Sequence, residues 1–349
     1  MTATTIVLWC VFVVIFDGYD LAINGVALPL LMQEWNMTAV QAGMLASTAL
    51  AGMMFGAMFF GMLADKIGRK NVILICVTLF SGFTFWGGFA SNPTEFGILR
   101  FIAGLGIGGV LPNLISPEQN ATARTQFVLN EVHAPDASIA ALFRQGRSMS
   151  TLLFWCCFFM CLLMVYALGS WLPKLMMAAG YSLGNSLMFL MAMNIGAVIG
   201  TIGGGILADR FHLKPVIIGM FLLGAVSLVG LGFNSPQAVI YLLVAAAGAS
   251  AIGSSILLYS FVAQYYPLSI RSTGIGCASA VGRVGAIVGP IIIGFLLGME
   301  LPHKMNFLAV AIPAIIGAIS VALIVRKDLN AERNAEILLS KQKLNSVKT

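Results

Sequence analysis

The sequence predicts an all-α membrane protein of about ten transmembrane helices in two bundles, four helices followed by six. Three observations predict it: a composition that no water-exposed globule has, a series of apolar runs of spanning length, and an internal repeat that divides those runs unequally. The 349 residues are 59% hydrophobic and 9% charged, with a mean hydropathy of +0.95. Soluble domains carry about 25% charged residues. A span takes roughly 20 apolar residues plus a connection, so the length accommodates about ten of them.

The apolar runs fall at about 6–32, 38–64, 71–90, 96–115, 149–171, 186–208, 215–233, 237–265, 273–299 and 305–325. The first lacks a basic leader region and a small-residue cleavage site, and Asp17 and Asp20 interrupt it, so it reads as a span. The bundles are 1–115 and 149–325, joined by a polar cytoplasmic linker at 116–148 and followed by a charged cytoplasmic tail at 326–349. Fifteen lysines and arginines lie in one set of connections together with the tail, against Lys174 and Lys304 in the other set. The positive-inside rule therefore places both termini in the cytoplasm. The net charge of +6 is then mostly topology rather than a nucleic-acid footprint.

Several function classes drop out. The six cysteines, at 10, 76, 156, 157, 161 and 277, all sit inside apolar runs and read as small buried hydrophobes. His133, His212 and His303 are far apart in polar connections, so neither zinc-type spacing nor any other metal site is expected. The glycines of G-L-G-I-G-G at 104–109 follow no strand and lie within a span, so they predict close helix packing, not a dinucleotide loop. G-A-I-V-G-P at 285–290 reads the same way, with a proline kink after it. No cofactor and no enzymatic chemistry are expected.

The repeat is the most informative feature. Residues 61–70 read G-M-L-A-D-K-I-G-R-K and residues 205–214 read G-I-L-A-D-R-F-H-L-K. Shifted by 144 residues, Gly52, Gly56, Gly61, Leu63, Ala64 and Asp65 match Gly196, Gly200, Gly205, Leu207, Ala208 and Asp209. Small residues four apart let helices approach closely. The aspartate closing each helix is placed to accept hydrogen bonds from a neighbouring helix N-terminus, with basic residues at the cytoplasmic interface. A cluster of this kind (Gly61, Asp65, Gly68 and Arg69, with Asp209, Arg210 and Arg271) predicts a gate that latches two bundles in one state and releases them in another. A plain solvated turn would explain one copy but not both.

The loop G-x-L-A-D-[RK]-x-G-R-[RK], with its decayed second copy, resembles the major facilitator superfamily. D-G-Y-D at 17–20, followed by N-G-V-A-L-P, resembles more narrowly its aromatic acid:proton symporters of the benzoate and 4-hydroxybenzoate transporter type. The resemblance covers nearly the whole chain. It implies a multi-pass inner-membrane protein whose two bundles rock about a midplane site, with a small aromatic carboxylate and a proton as its partners. Members of that superfamily have twelve spans, six in each half. Here two spans precede and two follow the first repeat before the linker, whereas two precede and four follow the second. The fifth and sixth helices are missing, with a junction near Ile115 and Ser116. Two alternatives follow: a proton-driven efflux antiporter, or a non-transporting remnant. The oligomeric state is left open.

Ionisable groups inside the hydrocarbon cost about 2.5–3.5 kcal/mol each on insertion scales and default to functional candidates. Asp17 and Asp20 share a helix face, and Arg100 and Arg283 lie within spans four and nine. Asp17 or Asp20 is a candidate for proton coupling, its pKa raised by desolvation and lowered by a nearby arginine. Arg283 or Arg100 is a candidate for a bidentate contact with the substrate carboxylate. A structural Asp20–Arg100 pair is the bland alternative. Tyr19, Tyr166 and Tyr259 offer ring surfaces to an aromatic body, and Asn24 one turn beyond Asp20 lines the same cavity. Trp171 reads as an interfacial belt residue.

Overall fold

The computed structural model describes residues 25–67, 69–115, 139–233, 235–267, 270–299 and 302–325. Asp17, Tyr19, Asp20, Asn24, Gly68, most of the linker and the tail lie outside the described residues. Among those described, the chain is helical throughout: α1 over 25–34, α2 (Ala39–Ile67), α3 (Arg69–Gly87), α4 (Pro93–Ile115), a short 3-10 turn (Ile139–Phe143), α5 (Ser148–Ala178), α6 (Leu183–Phe211), α7 (Leu213–Leu231), α8 (Gln237–Tyr265), α9 (Arg271–Gly298) and α10 (His303–Leu323). Seven of these are long and apolar enough to cross a membrane: α2 and each helix from α5 to α10. α3 holds a shorter apolar stretch, Asn71–Gly87.

Local chemistry sets the helix starts. α2 opens on a capping box in which Gln41 Oε1 accepts from Thr38 N at 3.0 Å and Thr38 Oγ1 accepts from Gln41 N at 3.3 Å. At α4, Asn92 Oδ1 accepts from Glu95 N at 2.8 Å and Glu95 reaches back to Ser91 N at 3.0 Å. Between α6 and α7 the chain turns on His212 alone, at φ 69° and ψ 153°. That region is essentially confined to glycine and costs about 1–3 kcal/mol for other residues. The first copy of the repeat carries Gly68 at this position. His212→Gly is therefore expected to stabilise the protein by about 1 kcal/mol, measured as a rise in the thermal midpoint in detergent.

The repeat in sequence is a repeat in packing. α2 lies along α4, and α6 lies along α8. A Cβ on Gly52 would strike the Phe101 carbonyl, and on Gly196 the Ala245 carbonyl. Gly56 meets Leu105 as Gly200 meets Ala249, and Gly104 meets Ala49 as Gly248 meets Met193. Every pair is related by the same shift of 144 residues. With lipid as apolar as leucine, such helices associate through close contact between backbones, and a side chain on either glycine would force them apart. Gly25 and Gly169 are also equivalent under that shift, and they touch each other. The two copies of the first helix thus meet at matching glycines.

The copies are not equally covered. α10 packs on both α5 and α7, and α9 packs on α5 and α2. Phe221 of α7, with its ring against Gly317 of α10, is 0% exposed, whereas its α3 counterpart Val77 is 42% exposed. Ser47 of α2, under α9, is 4% exposed, whereas its α6 counterpart Met191 is 59% exposed. Among the described residues, no helix covers α3 and α6 as α10 and α9 cover α7 and α2.

The end of the linker is anchored to the second half. Leu142 of the 3-10 turn is fully buried, its carbonyl accepting from Thr151 Oγ1 at 2.9 Å, and Thr151 also pairs with the Tyr266 hydroxyl at 2.8 Å. Phe143 meets Trp155 edge-on at 5.5 Å. α5 starts at Ser148 and runs to Ala178, well past the expected end at 171, with Pro173 inside it. The glycines at 104–109 pack against α2 and α3 as expected, and Gly285 and Gly289 pack on Phe159 and Leu163 of α5. Pro290 lies inside α9, which continues to Gly298.

Candidate functional site at the α2–α9 seam

The two halves meet where α2 crosses α9. Gly43 sits against Pro290 and Gly294 against Ala39, close enough that a Cβ on either would overlap the facing carbonyl. The Ser47 hydroxyl donates to the Ile287 carbonyl at 2.7 Å, and the Trp171 indole N–H donates to the Pro290 carbonyl at 2.9 Å. Trp171 is fully buried. It is a strut of the seam and not the belt residue expected from its place near a span end. An indole N–H withdrawn from water needs an acceptor, and Pro290 supplies it. Trp171→Phe keeps the ring and loses the bond, so a loss of about 1 kcal/mol in stability is expected, read from unfolding in detergent.

Below this seam lies a mixed cluster drawn from both halves. Leu50 and Met53 of α2, Ile107 of α4 and Ala286 of α9 form it, with Phe80, Leu162, Tyr166 and Ile287 packed around them. Arg283 is one turn further along α9 towards the Arg271 end. It shares a helix face with Ile287, Pro290 and Gly294, the residues that meet α2, because the spacing of four, three and four keeps one side of a helix. Arg283 is half-buried and makes no hydrogen bond or ion pair among the described residues. Tyr259 of α8 holds its hydroxyl 3.1 Å from Ser279 Oγ, with its ring edge-on to Phe158 at 4.9 Å.

Four of the expected substrate residues can therefore be placed. Arg283, Tyr166 and Tyr259 converge on the middle of α9. Arg100, 5% exposed in the second turn of α4, is buried and has a partner. Ser279 was not singled out from the sequence. Its signal was present, as a hydroxyl one turn from an intramembrane arginine. Among the gate residues, Gly61 and Asp65 fall in the last two turns of α2 and Arg69 opens α3. Asp209 and Arg210 are exposed at the end of α6, where Asp209 makes no hydrogen bond or ion pair among the described residues. Arg271 opens α9 with its Nε donating to the Tyr266 carbonyl at 3.4 Å. Among the described residues, no cluster of histidine, cysteine or carboxylate could hold a metal ion.

A family model described as Major Facilitator Superfamily matches residues 10–116 and 154–346. The chain belongs to that superfamily. The unmatched stretch, 117–153, overlaps the polar segment at 116–148. A benzoate transport protein of Acinetobacter baylyi is 40% identical, over 91% of this chain and 89% of its own length. That alignment runs over 413 positions, more than the 349 residues of the chain, so the relative carries segments with no counterpart here. A gentisate transporter of Corynebacterium glutamicum is 32% identical, over 90% of this chain and 86% of its own. Among solved structures, a bacterial homolog of the human lysosomal transporter Spinster, inward-facing and unoccupied, superposes with a TM-score of 0.74. It covers 92% of this chain and 96% of its own at 12% identity, which speaks to the fold alone.

Proposed function

We propose that the chain is a proton-coupled symporter that imports a small aromatic carboxylate of the benzoate type across the inner membrane by alternating access. In this reading it has about ten spans, four and six, with both termini cytoplasmic. The observation that carries the reading is Arg283, a permanent charge at mid-helix with no partner among the described residues, on the α9 face that meets the first half. A carboxylate offsets the cost of that charge through a bidentate, charge-assisted contact. The names of the similar transporters supply the aromatic body, and Tyr166 and Tyr259 supply ring surfaces close to the arginine.

The seam of Gly43, Ser47, Trp171 and Pro290 lies at the end opposite the basic loops, which fits a state closed to the outside. Opening it exchanges those contacts for others and turns the site outward. The gate residues around Asp65 and Asp209 then latch the opposite end. Proton coupling rests on Asp17 and Asp20 of the first span. One proton carried with one monoanion moves no net charge, so uptake follows the pH gradient and not the membrane potential. Asp20→Asn is accordingly expected to abolish the protein-dependent uptake driven by a pH gradient, measured as the initial rate of labelled benzoate entry into vesicles above the protein-free rate.

The uncovered faces of α3 and α6 favour a second reading, a remnant whose first bundle has lost its fifth and sixth helices and closes no cavity. Expression in cells that do not metabolise labelled benzoate separates the readings. Accumulation above the vector control supports import. Accumulation below it supports efflux, and no difference with protein in the membrane supports the remnant.

A further inference from the structure

The uncovered face of α6 has a pattern of its own. Leu187, Met191, Asn194, Val198, Thr201 and Gly205 follow one another at intervals of four, three, four, three and four. That spacing keeps a narrow row on one side of a helix and suits it to a second helix at a shallow, left-handed crossing. Met191 is 59% and Val198 60% exposed, Asn194 is exposed, and a Cβ on Gly205 would meet nothing within 4 Å. The same row is covered in the other half. Shifted by 144 residues, Leu187, Met191 and Asn194 match Gly43, Ser47 and Leu50 of α2, and those three meet α9. Among the described residues, no helix does for α6 what α9 does for α2.

Asn194 distinguishes this face from one built for lipid. It is the twelfth of the 29 residues of α6, about 17 Å from the start of the helix and so near the middle of a bilayer core of about 30 Å. Its Nδ2 donates to the Leu190 carbonyl of its own helix at 2.9 Å, its one hydrogen bond among the described residues. A carboxamide has two N–H donors and an acceptor oxygen, so one N–H and the oxygen are left over. Acyl chains offer neither a donor nor an acceptor, and leaving both groups unmet there is costly.

A second copy of the same amide meets both needs at once. Across a two-fold axis, each oxygen accepts the spare N–H of the other. Copies of one chain share one orientation in the membrane, so the axis runs along the membrane normal and sets α6 parallel to α6, in register, with Asn194 opposite Asn194. A single polar residue within such a row is also what fixes register between paired helices.

We propose that the α6 row docks a second copy of this chain, α6 against α6 about an Asn194 pair. The contact covers between two chains what α9 covers on α2 within one. It does not depend on which substrate the chain carries.

The test places the full chain, carrying a donor or an acceptor fluorophore at its C terminus, in vesicles of phosphatidylethanolamine and phosphatidylglycerol. Energy transfer is followed as lipid dilutes the protein. The unaltered chain is expected to self-associate reversibly. Asn194→Leu should weaken association by about five- to thirtyfold, the equivalent of about 1–2 kcal/mol of interhelical hydrogen bonding in a membrane. Asn194→Gln keeps the amide and should retain most of the association. Val198→Trp puts a ring between the helices and should also weaken it. Val226→Trp, on α7 where Val226 is 68% exposed and off the row, should leave it unchanged. Chains that stay single at every dilution leave the face to lipid and overturn the inference. Association that Asn194→Leu and Val198→Trp leave intact, or that Val226→Trp weakens as much as Val198→Trp does, places the contact elsewhere and overturns it too.

Discussion

Arg283→Gln is expected to weaken binding of benzoate by about thirtyfold or more, because truncating one partner of a buried, hydrogen-bonded charge pair costs about 2–5 kcal/mol. Glutamine retains a donor and much of the length but not the charge or the fork. Arg283→Lys restores the charge without the fork and should recover part of the loss. Thermal stability should not fall in either variant, since Arg283 makes no bond among the described residues that the substitution would break. Isothermal binding and a melting curve on the same samples separate the two effects. Unchanged affinity in Arg283→Gln would remove this residue from the site. The carboxylate would then fall to Arg100, the other arginine placed within a span.

Gly196→Leu should be the most damaging single change in the second half. The α6 backbone meets the Ala245 carbonyl of α8 at Gly196, and any Cβ there overlaps it. Neither atom is the free end of a flexible side chain, so the helices must separate. The expected cost is about 3 kcal/mol or more, enough to lose most folded protein in detergent. Gly219→Ala on α7 is the control. A Cβ there meets nothing within 4 Å, so folded yield should be unaffected. Size-exclusion profiles after mild heating report both. Equal behaviour of the two variants would mean that the α6–α8 contact does not depend on close approach, and the same would then be doubted for its twin at Gly52.

The contrast between these glycines shows what the sequence could and could not convey. Matching Gly52 and Gly56 to Gly196 and Gly200 was open to reading, because the L-A-D motif beside them anchors the register. The equivalence of Gly25 with Gly169 was equally open, since G-V-A-L-P at 25–29 and G-S-W-L-P at 169–173 share three residues at the same shift, but the sequence did not show that these glycines meet each other. Arg283 was conspicuous as a charge in an apolar run. Ser279 was inconspicuous because serine is common in membrane helices, and only the position of the Tyr259 hydroxyl distinguishes it from those bonded to carbonyls. Trp171 was misplaced for a related reason. Hydropathy locates a residue along a span but not around it, and here the face turned inward decides. Unequal halves were an expectation from spacing alone, and among the described residues Phe221 of α7 is buried where its α3 counterpart Val77 is 42% exposed.

Transport by a chain whose α3 is exposed in this way is the point on which the account turns. The direct measurement reconstitutes the full chain, at verified insertion, into lipid vesicles carrying a defined pH gradient with the interior alkaline and the potential clamped at zero. Labelled aromatic carboxylate is followed over time, with protein-free vesicles subtracting passive diffusion of the protonated acid. The account predicts an initial rate of uptake above the protein-free control that is saturable in substrate, collapses with a protonophore, and does not respond when a potential of either sign is imposed without a pH gradient. Uptake no faster than in protein-free vesicles, from protein shown to be folded and inserted, would contradict it and leave a superfamily member that no longer transports.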